Sequence, residues 1–302
     1  MSIKVTQPEI SVREVLNTTK GLTTKVAENT QDLLKLSGMT GKNILINGDF
    51  SVWKRGDSVV TNNGYTADRF NVSYSSGGVA LTVSKQTSLG TEPFHSKNFM
   101  NISSSGVSTG TSQFMRYTIE GNNTAYINRT YTLSFYIKGA SAQSAVMRSW
   151  GSSSLETSIP ITTSWVKHVI TNKCVSALAN PVPLQLTFTD GTVLDVDIAE
   201  IQLELGSVAT DFEIVDPATQ LYKCMRYYQN YNSISWPWTN QGTGTQMNLT
   251  FNFVVEMRTV PTTDTIYGGL GEPVTITNKT LTSTQAGRGN YAATIKSFDA
   301  EL

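Results

Sequence analysis

The stretch Val193–Leu205, VLDVDIAEIQLEL, decides the fold. Its first half places Leu194, Val196 and Ile198 at even positions, and its second half places Ile201, Leu203 and Leu205 at odd ones. A strand sends successive side chains to opposite faces, so a strict period of two cannot change parity. One inserted residue can, which predicts a β-bulge near Ala199-Glu200. With the bulge in place both halves keep one core face. Asp195, Asp197, Glu200 and Glu204 then fall on the opposite face, as outward decoration and not buried chemistry.

The same alternation extends in both directions. It is carried by Val79, Leu81 and Val83, by Phe114 to Ile119, by Tyr131, Leu133, Phe135 and Ile137, and by Leu184, Leu186 and Phe188. The longest stripe runs Leu249, Phe251, Phe253, Val255, Met257, and Ile44 to Phe50 reads as a further strand. Clusters such as Ser75-Ser76-Gly77-Gly78, Gly121-Asn122-Asn123 and Asp190-Gly191 punctuate these runs. Many short half-buried strands between turn clusters predict an antiparallel β-sandwich. Composition agrees, since only 15% of the 302 residues are charged and Ser, Thr, Asn and Gly abound. A boundary is expected at Glu213 to Pro217, followed by a short helix carrying Leu221, Cys224, Met225 and Tyr228 and then by more strands. Whether residues 217–302 form their own unit or complete the sandwich stays open.

The N-terminus follows a different period. Val12, Thr19, Val26 and Leu33 share one heptad position, and Val15, Leu22, Asn29 and Leu36 lie three residues on. That is an a/d seam over roughly 37 Å of helix. Thr19 and Asn29 are polar seam positions of the kind that fix register and oligomer state, and Asn29 at d suggests three chains. The competing reading is one amphipathic helix docked on its own chain. Residues 1–11, extended by Pro8, read as an anchoring arm, and residues 12–38 as the oligomerisation helix.

Equal numbers of basic and acidic residues, 23 each, argue against a nucleic-acid partner. No apolar run is long enough for membrane insertion, and the first residues lack a secretory apolar core. Cys174 and Cys224 form no disulfide framework and no metal-ligand spacing, and read as idle thiols. His95 and His168 have no partner ligands at useful spacing. Gly106-Val107-Ser108-Thr109-Gly110 matches a nucleophile-elbow pattern, but the elbow requires a helix after the serine and the continuation alternates like a strand. No catalytic set converges and no phosphate cradle is present, so the chain reads as non-enzymatic with no cofactor. Aromatic residues remain as candidates for sugar stacking: Trp53, Tyr136, Trp150, Trp236 and Trp238. Tyr136 faces away from the Tyr131–Ile137 core stripe, whereas Trp165 is assigned to the core.

NILINGDFSVWKRG (43–56), YTADRF (65–70), RTYTLSFYIKG (129–139), IAEIQLELGSVATDFE (198–213) and LYKCMRYYQ (221–229) occur in that order. Together they resemble a module recurrent in bacteriophage tail-fibre and related virion proteins, itself similar to the jelly-roll carbohydrate-binding modules of glycoside hydrolases. MRTVPT (257–262) resembles the segment C-terminal to the module in such phage proteins. The resemblance implies an 8-to-10-strand jelly-roll at residues 43–216, with a small β-rich region at 217–302 containing the short helix. It implies display on a virion and contact with bacterial surface glycan; together with the heptad seam this reads as a homotrimeric tail fibre joined to other virion proteins through its arm, and the missing secretory core fits assembly in the host cytoplasm. A head fibre, collar or adaptor is the structural alternative, and a capsule-degrading enzyme the catalytic one. A structural calcium, where such modules carry one, would correspond to Asp49 and Glu200.

Overall fold

The computed structural model describes residues 17–23, 25, 41–74, 79–107, 112–120, 129–148, 156–173, 182–188, 191–235, 247–266, 275–277, 283–288 and 294–301. The chain is mainly β and every strand pairing is antiparallel. The first sheet contains β1 (Ser58–Thr61), β4 (Leu81–Thr87), β5 (Asn98–Val107), β7 (Thr130–Gly139), β10 (Val166–Lys173) and β12 (Val193–Leu205). Its order is β1-β4-β5-β12-β7-β10. The second contains β2 (Asn63–Tyr65), β3 (Phe70–Tyr74), β6 (Gln113–Ile119), β8 (Gln143–Arg148), β9 (Glu156–Ile161) and β11 (Val182–Phe188), ordered β2-β3-β6-β11-β8-β9. The twelve strands among the described residues exceed the eight to ten expected, because short edge strands such as Asn63–Tyr65 are too brief to leave a pattern in sequence.

The two sheets share one core. Ile102, Leu133, Phe135, Ile137, Val196 and Ile198 from the first meet Val72, Met115, Tyr117, Leu184, Leu186 and Phe188 from the second. Each such side chain contributes about 1.5–3 kcal/mol through removal from water. The bulge in β12 is present: Ala199 faces Tyr136 and Gln202 faces Ser134, so β12 carries one residue more than β7 in that interval. Glu200, the residue inserted there, has φ of 50°.

Ile44–Phe50 is not a strand. Asn47 and Phe50 have φ of 65° and 52°, and left-handed residues close a turn where a strand needs extended backbone. Asn47 is fully buried, its amide donating to the Val52 and Asp68 carbonyls and its oxygen accepting from Val52 N. Gly48 lies flat on the bulge, where Ile201 N donates to Gly48 O at 2.9 Å. A Cβ at this position would collide with the Ile201 carbonyl. Gly48→Ala is therefore expected to destabilise the sandwich by about 2 kcal/mol or more, with backbone as the obstacle. Urea unfolding of the variant checks this, and an unchanged midpoint would contradict the close approach.

The same segment is stitched along β12 and onto Glu213 beyond its end. Gly41 N and Asn43 N donate to the Glu213 carboxylate, Asn43 Oδ1 accepts from Leu203 N, and Ile44 N donates to Leu203 O. Upstream, residues 17–23 and 25 are helical, with Thr19 and Leu22 exposed. Val12, Val15, Val26, Asn29, Leu33 and Leu36, and the arm at residues 1–11, lie outside the described residues.

Beyond the sandwich, α1 (Pro217–Met225) starts as its sequence suggests. Asp216 caps it by accepting from Thr219 N at 3.0 Å, and Pro217 fills a first-turn position that needs no donor. Gln220 and Cys224 form its buried side, and burial pushes the Cys224 thiol up. Cys174 is outside the described residues. Two three-stranded sheets follow among the described residues. One contains β13 (Tyr228–Ser235), β15 (Thr262–Ile266) and β18 (Thr294–Asp299); the other β14 (Met247–Asn252), β16 (Thr275–Thr277) and β17 (Ser283–Arg288). The stripe expected to reach Met257 ends at Asn252, after which Phe253 and Met257 are buried from irregular backbone. None of the described helices is long and apolar enough to cross a membrane.

Candidate functional site

The outer face of the first sheet carries the candidate site. Strand register sets Ser84, Asn101, Asp197 and Lys138 side by side on four neighbouring strands. Thr82, Ser103 and Asp195 form the adjacent row. A third row holds Ala199, Tyr136 and Lys167. Gln86, Phe99, Asn101, Ser103, Lys138, Ala140, Asp195 and Asp197 line an open cleft of about 460 Å³ here.

At Phe99 the cleft runs onto a wall of aromatic rings. Trp165 meets Phe94 and Phe99 edge-on at 4.8 and 5.4 Å between centroids, and Tyr136 lies 5.8 Å from Phe94. Phe94 and Phe99 are buried, whereas Trp165 and Tyr136 keep part of their surface in solvent. Lys138 Nζ stands 5.1 Å above the Trp165 ring, and Lys167 Nζ 5.6 Å from that of Tyr136. Burial and the Glu200 and Asp211 charges push the Tyr136 phenol up, so it stays a neutral donor and acceptor at neutral pH.

The bulge builds this wall. By displacing Glu200 it lets one carboxylate oxygen accept from both His95 N and Ser96 N, at 2.7 and 2.8 Å. Those residues end the loop that delivers Phe94 onto Ala199. Glu200 and Glu204 do face away from the main core as expected, but they are 5% and 4% exposed and are not outward decoration. Glu204 is spent on Thr210 N and Thr210 Oγ1. Loops folding back over the second half of β12 cover both, whereas Asp195 remains exposed and Asp197 half-buried.

The other sequence candidates fall elsewhere. Trp53 lies in the core, 8% exposed, with Nε1 donating to Phe50 O at 2.7 Å, and offers no face to a ligand. Trp150, Trp236 and Trp238 are outside the described residues. Trp165 belongs to the aromatic wall and not to the sandwich core, since it precedes β10 on the outer side. Asp49 and Glu200 are not brought together as metal ligands. Asp49 Oδ1 accepts from Ser51 N, Ser51 Oγ and Gln220 Nε2, while Glu200 serves the His95 loop. Among the described residues no group of three His, Cys, Asp or Glu could hold a metal ion. Ser108 lies outside the described residues, and the next element is β6, a strand where a nucleophile elbow needs a helix.

A second charged cluster joins the sandwich to the C-terminal strands. Arg69, with φ of 75° and 1% exposure, lies 3.6 Å from the Tyr227 ring centroid and 5.1 Å from that of Tyr117. It ion-pairs with Glu301, and its Nη2 donates to Thr118 O at 2.6 Å. Arg55 reaches Asp299 at 2.9 Å, Glu301 at 3.5 Å and Asp68 at 3.9 Å, with the Tyr228 ring 3.8 Å from its guanidinium. Burial raises the Asp68 carboxyl to about 7 against the pull of Arg55 and of Lys54 N. The cluster is buried and its charges pair with one another, although Asp68 Oδ1 and Arg69 Nε have no hydrogen-bond partner, and it reads as a joint.

No protein-family model matches the chain, and no curated protein does. Solved structures with partial likeness include the enzymatically active domain of tailspike protein 4 from bacteriophage CBA120, at TM-score 0.38 and 13% identity over 55% of this chain. This chain spans only 22% of that domain's length. A family 11 carbohydrate-binding module from Clostridium thermocellum, in complex with a β-1,3-1,4-mixed-linked tetrasaccharide, has TM-score 0.32 and 11% identity over 52% of this chain and 98% of its own. A cyclase from Fischerella sp. TAU has TM-score 0.41 and 12% identity, covering 56% and 98%. Neighbours so different in activity, all below a TM-score of 0.5, decide nothing about what this chain does.

Proposed function

We propose that the chain is a non-catalytic structural component of a bacteriophage particle, a trimeric tail fibre whose jelly-roll meets host-surface glycan on the outer face of its first sheet. The arm at residues 1–11 anchors it to other virion proteins, and residues 12–38 supply the oligomerising stem. The heptad seam and the order of the sequence motifs support this reading. The observation that carries it is the cleft with its polar row Asn101, Asp197 and Asp195, continued through Phe99 into the aromatic cluster that holds half-exposed Trp165 and Tyr136. Sugars are held by that combination, with ring faces against C–H groups and carboxylates or amides on hydroxyls. Three chains would present three such clefts, so weak single contacts suffice for attachment.

Binding of the full chain to host cells and to a glycan array tests the reading. Trp165→Ala and Tyr136→Ala are each expected to lower glycan affinity about tenfold, scored only on protein that retains wild-type far-UV dichroism. Tight association with a virion protein and no glycan binding would favour a collar or adaptor instead. Release of reducing sugar from host polysaccharide would overturn the non-catalytic assignment.

A further inference from the structure

The cleft floor has an uneven supply of hydrogen-bonding groups. Asn101 Nδ2 spends its two hydrogens on Asp195 Oδ1 and Asp197 Oδ1, both at 2.9 Å. Lys138 Nζ is held 3.0 Å from Asp197 Oδ2. Gln86 Nε2 donates to Ser84 Oγ at 2.9 Å, and the Ser103 hydroxyl turns to Thr82 O at 3.4 Å. The one cation of the floor is thus paired with Asp197 and the Asn101 amide with both aspartates, whereas a carboxylate oxygen is left over. Asp195 is the clearest case: it is exposed, and its second oxygen has no partner among the described residues. Once Lys138 and Asp197 cancel, one negative charge remains in the cleft.

We propose that Asp195 makes this cleft select donor-rich glycans, uncharged or amine-bearing, and reject acidic ones. The inference rests on the glycan reading above and adds the chemical class. A sugar carboxylate, sulfate or phosphate brings only acceptors, finds the Lys138 charge already cancelled by Asp197, and faces the Asp195 charge. A hydroxyl or ammonium group donates to the oxygens that the protein leaves open. Breaking the Lys138–Asp197 pair to serve an acidic ligand would strand Asp197 in a half-buried position.

Calorimetric titration of the full chain with glucosamine, glucose and galacturonate oligomers of equal length, at low salt, tests this. The amine and neutral oligomers are expected to bind at least fivefold more tightly than the acidic one, the effect of one charge about 4 Å away across water. Asp195→Asn, at an exposed position, should bring the acidic oligomer within about twofold of the neutral one, and 0.5 M salt should shrink the native ratio. Galacturonate binding as tight as glucose, or a ratio unmoved by D195N, overturns the proposal and leaves the glycan reading standing. Binding by none of the three overturns both.

Discussion

Replacing Glu301 with alanine is expected to lower stability by about 3–5 kcal/mol, enough to remove much of a typical domain's margin. Its partner Arg69 would keep a guanidinium enclosed by two tyrosine rings with one hydrogen-bonded carbonyl and no counter-charge. The penalty comes from the stranded cation and not from the lost attraction, which makes the prediction asymmetric. A double variant, Arg69→Met with Glu301→Leu, removes both charges and should recover most of the loss. Urea denaturation of native, single and double variants measures it. If E301A costs less than about 1 kcal/mol, Arg69 is solvated in solution and the joint is looser than the structure has it.

The second large effect concerns pH. The Asp68 carboxyl has a folded value near 7 against about 3.8 unfolded, because burial disfavours its charge more than Arg55 and Lys54 N restore it. The folded state therefore holds the proton longer than the unfolded chain. Its contribution to stability is fullest below about pH 4, declines as pH rises through the window from 4 to 7, and stays low above. Three pH units correspond to roughly 4 kcal/mol as an upper bound. Other carboxylates titrate in the same range, so the test is a difference. The stability of Asp68→Asn relative to native should shift in favour of the variant between pH 4.5 and pH 8, by several kcal/mol. A difference that stays flat with pH would mean that Arg55 holds Asp68 ionised throughout.

The parity switch inside Val193–Leu205 located the bulge correctly because strand periodicity is local: thirteen residues suffice to show one residue too many. What the bulge accomplishes could not be read there. Glu200 is buried by a loop more than a hundred positions earlier, and nothing in its own neighbourhood distinguishes it from Asp195. The aromatic wall has the same character. Phe94 comes from a loop, Phe99 from β5, Tyr136 from β7 and Trp165 from the turn before β10. The alternation of β7 did put Tyr136 on the outer face. Trp165 stands two residues before Lys167, so the alternation of that segment sets it on the outer face, against its assignment to the core. Trp53 misled in the converse direction, since a tryptophan beyond a supposed strand reads as a loop residue until the left-handed Asn47 and Phe50 turn it inward.

The attachment of residues 41–44 has a mechanical consequence. Tension arriving from the N-terminal side reaches the sandwich through Glu213 and through Leu203 of β12, a strand placed between β5 and β7 and paired at Leu203 with β7. A tug therefore falls on the middle of the first sheet and is shared by several bonds. The edge strands β1 and β10, which could be unzipped one rung at a time, are spared the load.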